Sequence, residues 1–344
     1  MLVSLLAVAP ARADDMDLSL SRLRISAGNT GCTNVRSAAQ FCPDNGLFER
    51  LVSELAVAMA PAPVRPAHTG GHRGLRLAVS GNVTGIDAGA THWALGSEGS
   101  GGRESNAAAA TPGDGIGQND APSRVLVWNR VEVEKGLPFG LSAGGFVGHG
   151  MQTSLWMLGG RLQWALFEGF YSELGRLPDV AVAASYGLSA GSDQARFAIG
   201  SAELLLSKPY VVDAGFELLP MLGLQLLFTD VESGVVDLTP VVDAVAACAP
   251  QPGTLPAAGP PAAVTCADDG DGSDLDNDVR FDDVEHMRLR TALGGRLRWD
   301  HFTVSLSLAY DLLLPELEHE LPRGSASGDL RRQLSMRVAL GAEL

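Results

Sequence analysis

From about residue 73 the chain alternates apolar and polar residues at period two, the spacing that puts successive side chains on opposite faces of a β-strand. The closing segment shows it best. Leu334, Met336, Val338, Leu340, Ala342 and Leu344 share one face; Gln333, Ser335, Arg337, Gly341 and Glu343 share the other. At 285–299, Met287, Leu289, Leu293, Leu297 and Trp299 oppose His286, Arg288, Arg290, Arg296 and Arg298. At 124–134, Val125, Val127, Val131 and Val133 oppose Trp128, Arg130, Glu132 and Glu134, and at 302–313 Val304, Leu306, Leu308 and Tyr310 oppose Ser305, Ser307 and Asp311. Further segments lie at 73–87, 138–149, 152–167, 178–190, 195–207 and 211–229, which makes ten strands; twelve is the alternative count. Their apolar faces run to about ten residues, the ~9–11 a tilted strand needs to cross a bilayer, whereas soluble strands are usually nearer five or six. The pattern predicts an all-β fold, an antiparallel up-and-down transmembrane barrel over 73–344.

The connections support this. The short ones are Glu134–Pro138, the stretch around Phe170–Leu177, Ser207–Tyr210 and Trp299–Phe302. The very long ones, 88–123 and 230–283, and the Pro-rich 314–328 fall on the opposite side, although two other connections there, near Gly150 and at Gly191–Gln194, are short. Short periplasmic turns and longer extracellular loops are the rule for such barrels. Aromatic residues cluster at both strand ends: Phe139, Trp164, Phe167, Tyr210, Trp299 and Phe302 at one, Trp156, Tyr186, Phe228 and Tyr310 toward the other. Two aromatic girdles mark the two membrane interfaces. On these residues the segment 73–344 resembles the bacterial outer-membrane β-barrel proteins as a class. The resemblance implies outer-membrane lipid and the outer-membrane assembly machinery as partners, with both termini periplasmic and the long loops extracellular. The final strand departs from the class's assembly signal in ending on Leu344 rather than an aromatic residue.

Ahead of the barrel, residues 14–72 read as a periplasmic segment. Asp44 can cap a helix over 46–60. Phe48, Leu51, Val52, Leu55, Ala56 and Met59 form its apolar stripe, Glu49, Arg50, Ser53 and Glu54 face away, and Pro61, Pro63 and Pro66 stop it. At about 22 Å, taking ~1.5 Å per residue, the helix is too short to span. It either packs on the periplasmic rim or plugs the lumen. Residues 16–25 read as an extra strand with a slip in the alternation.

Charge and composition narrow the functions. The net charge is −15 and there is no basic stripe, so a nucleic-acid partner is excluded. Leu2 to Ala9 is a short apolar run followed by Ala11-Arg12-Ala13, a small-x-small cleavage pattern, so residues 1–13 read as a secretory signal peptide. Export makes disulfides the natural reading of the four cysteines. Cys32–Cys42 and Cys248–Cys266 are the favoured local pairs, out of three connectivities that four cysteines allow.

Three kinds of chemistry are candidates. The inward face carries Arg130, Glu132, Glu134, Arg161, Glu203, Asp213, Glu217, Arg288, Arg290, Arg296, Arg298, Asp311, Arg337 and Glu343. In so narrow a barrel such charges either pair across the interior or line a narrow passage for small solutes. The loop DDGDGSDLDNDVRFDD offers Asp269, Asp271, Asp274, Asp276 and Asp278 as hard oxygen ligands for Ca²⁺. That run looks like part of a thrombospondin type 3 repeat, although a solvated acidic loop explains it too. His149 and His286 sit at strand ends, but no G-x-S-x-G or H-E-x-x-H accompanies them and no catalytic set is assigned. The leading expectation is a barrel for limited small-solute passage or an envelope structural component. The alternative is a surface binding or adhesion module built on a calcium-stabilised 230–283 loop; an outer-membrane hydrolase is third.

Overall fold

Ten of the period-two segments become long antiparallel strands that close on themselves. The computed structural model describes residues 14–26, 32, 41–99, 118–167, 177–213, 215–238, 278–321 and 329–344. In chain order its elements are β1 (Arg24–Ser26), β2 (Phe41–Pro43), α1 (Asn45–Met59), β3 (Leu75–Gly85), α2 (Thr91–Gly96), β4 (Val125–Gly136), β5 (Leu141–Gly150), β6 (Trp156–Phe167), β7 (Asp179–Ala190), β8 (Ala195–Ser207), β9 (Tyr210–Asp213), β10 (Phe216–Ser233), β11 (Val236–Asp237), β12 (Asp278–Val279), β13 (Val284–Trp299), β14 (Phe302–Leu313) and β15 (Leu334–Glu343). The barrel order is β13-β14-β15-β3-β4-β5-β6-β7-β8-β10, and β10 pairs back to β13 from Phe216↔Trp299 to Val231↔Val284. The first and last strands meet in register from Glu343↔Arg76 to Ser335↔Thr84. Closure leaves no unpaired edge, which matters where no water can satisfy backbone groups. Short β9 lies alongside the start of β10, outside this ring.

The faces are inverted relative to a soluble protein. Leu162 is 63% exposed while its neighbour Arg161 is 6% exposed. Val131, Leu158, Leu293 and Leu340 are likewise outward and exposed. Trp164, Phe167, Tyr210, Trp299 and Phe302 ring one mouth; Trp156, Tyr186, Phe228 and Tyr310 form the outward set toward the other. The first is the short-turn mouth. There β4 and β5 join through Phe139 and Gly140, both at positive φ (63° and 68°), a tight turn that matches strand twist. The second is the long-connection mouth.

The N-terminal segment departs from expectation. Both chain ends were expected at the short-turn mouth. Leu344 is there, exchanging backbone hydrogen bonds with Leu75, but the first described residues are at the opposite mouth. Met16 N–H donates to the Gln152 carbonyl, Leu18 bridges Ser97, and Leu20 N–H donates to Gln194. The stretch 16–25 is no barrel strand: it makes a 3-10 turn at Leu20–Arg22 and then β1, which pairs with β2. The Cys32–Cys42 disulfide forms, spanning a Cα–Cα distance of 5.7 Å. Cys248 and Cys266 lie outside the described residues. From β2 the chain turns into α1, one residue offset from the expected helix. Its cap is Asp44, which accepts from Leu47 N–H at 3.0 Å. Burial pushes the Asp44 carboxyl above its ordinary value, against the Leu47 and Gly46 N–H groups and Arg50, which pull it down.

Candidate functional site: the filled lumen

α1 descends inside the barrel, and the chain after it continues down the axis as an extended strap. Proline explains the change. Pro61, Pro63 and Pro66 fix φ and lack N–H groups, so the helix cannot continue past Met59. Around Ala60 to Ala67 the strap passes Arg130, Gln225, Glu132 and Gln163 in turn, and His68 reaches Asp179 at 3.8 Å near the short-turn mouth. β3 then starts at Leu75. The 14–72 segment is therefore a plug that crosses the barrel once.

The apolar stripe of α1 explains the grip in the upper half. Phe48, Leu51, Val52 and Leu55 pack with inward-facing Leu126, Trp128, Phe146, Met157, Phe197, Ile199, Leu227 and Val231. Trp93 from α2 and Phe281 join the cluster, with the Phe48 and Phe281 ring centroids 4.8 Å apart. Each such side chain contributes about 1.5–3 kcal/mol by leaving water. The polar residues of α1 were expected to face away from the apolar stripe. Glu49, Arg50, Ser53 and Glu54 are nevertheless all buried, because the helix is surrounded on every side. Each has partners. Glu49 accepts from the backbone N–H groups of Glu318 (2.7 Å) and His319 (2.9 Å), and His286 Nε2 lies 3.4 Å away. Glu54 accepts from Trp93 Nε1 at 2.7 Å and from Asp87 N–H at 3.2 Å. Arg50 donates to the His319 carbonyl. The helix thus ties the connections near residues 90 and 319 to the barrel interior.

Beside α1 in the upper half, Asp311, fully buried, accepts from Arg288 Nη1 at 3.0 Å and Arg290 Nε at 2.8 Å. The lower half is polar. Glu132 bridges wall and plug: Arg337 reaches it at 2.8 Å, and Arg65 of the strap binds its other oxygen. Arg65 also reaches Glu134 at 3.2 Å. Arg161 pairs with Glu203, whose other oxygen accepts from Ser201 at 2.7 Å. Arg296 pairs with Glu343, and Arg298 with Glu217 at 2.8 Å. Arg288 and Arg290 with Asp311, and Arg298 with Glu217, pair between neighbouring strands, whereas Arg161–Glu203, Arg296–Glu343 and Arg337–Glu132 each reach over an intervening strand. Arg65, Gln163 and Gln225 were not singled out in the sequence: Arg65 stands among prolines, and nothing local says which element a lone lumenal glutamine will touch.

This packing leaves little room. Among the described residues, small lumenal cavities of about 10 Å³ each hold a single water at most. A vestibule of about 650 Å³ opens at the short-turn mouth, lined by His68, Arg76, Glu134, Glu217, Arg296 and Arg298 among others. The strap forms its roof, since Pro66, His68 and Thr69 line it too. Glycine permits the close passage. A Cβ at Gly223 would stand 2.3 Å from the Pro63 carbonyl. Gly223→Leu should therefore displace the strap and lower barrel stability by about 1–3 kcal/mol, read as a lower midpoint of heat-induced unfolding in detergent; an unchanged midpoint would show that the strap is loosely held.

The other candidate residues are not gathered here. Of the five aspartates proposed for Ca²⁺, only Asp278 is among the described residues; it lies in β12 opposite Asp237, and Asp269, Asp271, Asp274 and Asp276 lie outside them. No group of three or more His, Cys, Asp or Glu placed to hold a metal occurs among the described residues. His149 on β5 stacks on Trp156, with centroids 4.3 Å apart, whereas His286 on β13 turns in toward Glu49.

A closed ring of ten antiparallel strands, apolar and girdled outside and polar within, is a β-barrel of the bacterial outer-membrane kind. No known protein family and no curated protein matches the sequence. Among solved structures the chain is similar to Ail, the attachment invasion locus protein of Yersinia pestis, at 7% identity and a TM-score of 0.24, over 79% of this chain and 99% of that one. It is also similar to the translocator domain of autotransporter NalP from Neisseria meningitidis, at 12% identity and a TM-score of 0.27, over 78% and 88% of the two chains.

Proposed function

We propose that this protein is a self-plugged outer-membrane barrel, an envelope component that holds its long connections at the cell surface rather than an open solute pore. One observation carries the reading: the lumen is occupied from the long-connection mouth down to the vestibule by α1 and the strap, which are bound by a hydrophobic cluster above and by the Arg65–Glu132 pair below. The orientation follows from connection length, with the short-turn mouth in the periplasm and the long-connection mouth outside. Outer-membrane lipid is the partner of the apolar outer wall. The assembly machinery of that membrane would read β15, the strand that closes the barrel.

Passage of small solutes is the second reading. The vestibule favours it, because it brings solvent and charged side chains to the strap's lower end. Planar-bilayer recording of the refolded full-length protein separates the two. Silent membranes at protein densities verified by reconstitution are expected; steady conductance steps in the intact protein would overturn the plugged-barrel reading.

A further inference from the structure

We infer that the barrel lumen is the route by which the polypeptide N-terminal to α1 reaches the outer surface, so that the barrel carries its own N-terminal segment across the membrane. This rests on the orientation given above. Asp14 and Asp15 are exposed at the long-connection mouth, whereas Leu75, where the barrel wall begins, pairs with Leu344 at the other. From β2 through α1 to Leu75 the chain has one path, through a ring that is hydrogen-bonded all the way round. It cannot slip sideways between strands without breaking the β15–β3 or another ladder.

The contacts along this path are the second observation. They go to backbone carbonyls, which any sequence presents. Arg130 Nη2 donates to the carbonyls of Met59 (2.8 Å) and Ala60 (3.0 Å). Gln225 Nε2 donates to Pro61 at 3.2 Å, and Gln163 Nε2 to Pro66 at 2.9 Å and Ala67 at 3.4 Å. Asn82 Nδ2 donates to Ala58 at 3.3 Å. An extended chain does not bond its own carbonyls, so in a confined lumen the wall must supply donors. Here Arg130, Gln225 and Gln163 do so for Ala60, Pro61, Pro66 and Ala67 of the strap, and Asn82 and Arg130 also meet the Ala58 and Met59 carbonyls of the last helical turn, which lack partners within the helix. Such a ladder holds an extended backbone of changing sequence, as transit requires, whereas Arg65 with Glu132 acts as a latch specific to the final position. The substrate class is an extended polypeptide segment covalently continuous with the barrel.

The test uses the full chain in intact cells with two epitopes, one inserted between Ala13 and Asp14, the other within the 239–277 connection. Antibody labelling of both without permeabilisation is expected. Labelling of the connection alone would overturn the inference and leave the orientation standing. Labelling of neither until the outer membrane is permeabilised would overturn the orientation and the inference with it. A second arm replaces Arg130, Gln163 and Gln225 by Ala together. Surface labelling of the N-terminal epitope should fall several-fold relative to the folded, heat-modifiable barrel in the same membranes; an unchanged ratio would remove the donor ladder from the route.

Discussion

Deleting residues 14–69 should turn a silent barrel into a conducting one. The deletion removes α1 and the strap, which together fill the axis. A helix with its side chains is about 10–12 Å across, so a bore of roughly that width opens, narrowed by the inward-pointing arginines of the wall. Those arginines keep their wall partners: Arg288 and Arg290 keep Asp311, and Arg337 keeps Glu132. The inward apolar ring of Trp128, Phe146, Met157, Phe197 and Leu227 becomes wet, so the shortened barrel should also unfold at a lower temperature. The measurement pairs planar-bilayer recording with heat-modifiability in gels. A shortened barrel that folds yet stays silent would show that the side chains of the wall close the lumen without the plug.

Glu132→Ala should be the most destabilising single substitution in the lumen. Glu132 neutralises Arg337 from the wall and Arg65 from the strap, and all three are nearly excluded from solvent. Among the described residues, removing the shared carboxylate leaves Arg337 with Ser80 as its hydrogen-bond acceptor and Arg65 with Glu134. Breaking such a buried pair from one side costs about 3–5 kcal/mol, because a charge is left buried without compensation. Arg65→Ala should cost less, since Glu132 keeps Arg337. Urea unfolding of both variants and the double variant in lipid vesicles gives the comparison. If Glu132→Ala and Arg65→Ala cost the same small amount, under about 1 kcal/mol as at a surface pair, the plug is not latched by this cluster.

Much of the wall was legible because the bilayer imposes a simple code. A strand between lipid and a polar interior must alternate, so Leu162 and Arg161 point to opposite sides and the strand ends fall within a few residues of their predicted positions. The largest shift is at β10, expected over 211–229 but running Phe216–Ser233, because the chain first makes short β9 and a turn at Gly215. α2 was missed: Thr91–Gly96 is short, lacks a side-chain cap, and is held by tertiary contact of Trp93 with α1. The helix itself was legible from Asp44 and the apolar stripe, but its location was not. The same amphipathic pattern suits a rim and a lumen equally well, and only the partners of Glu49 and Glu54 distinguish them.

The alternation of residues, the length of each apolar face and the contrast between short and long connections pointed by themselves to a membrane barrel of ten strands, twelve being the alternative, with charges inside; ring closure in the structure gave ten. Those features are local, and every strand repeats them. Tertiary structure alone decided that the segment before the barrel enters at the long-connection mouth, that Arg65 meets Glu132, and that the lumen is filled. The physical reason is that a plug is defined by contacts between residues far apart in sequence, here Arg65 with Glu132, Glu49 with His319 and Pro61 with Gln225, and no period along the chain encodes which distant wall a helix and a proline-rich strap will touch.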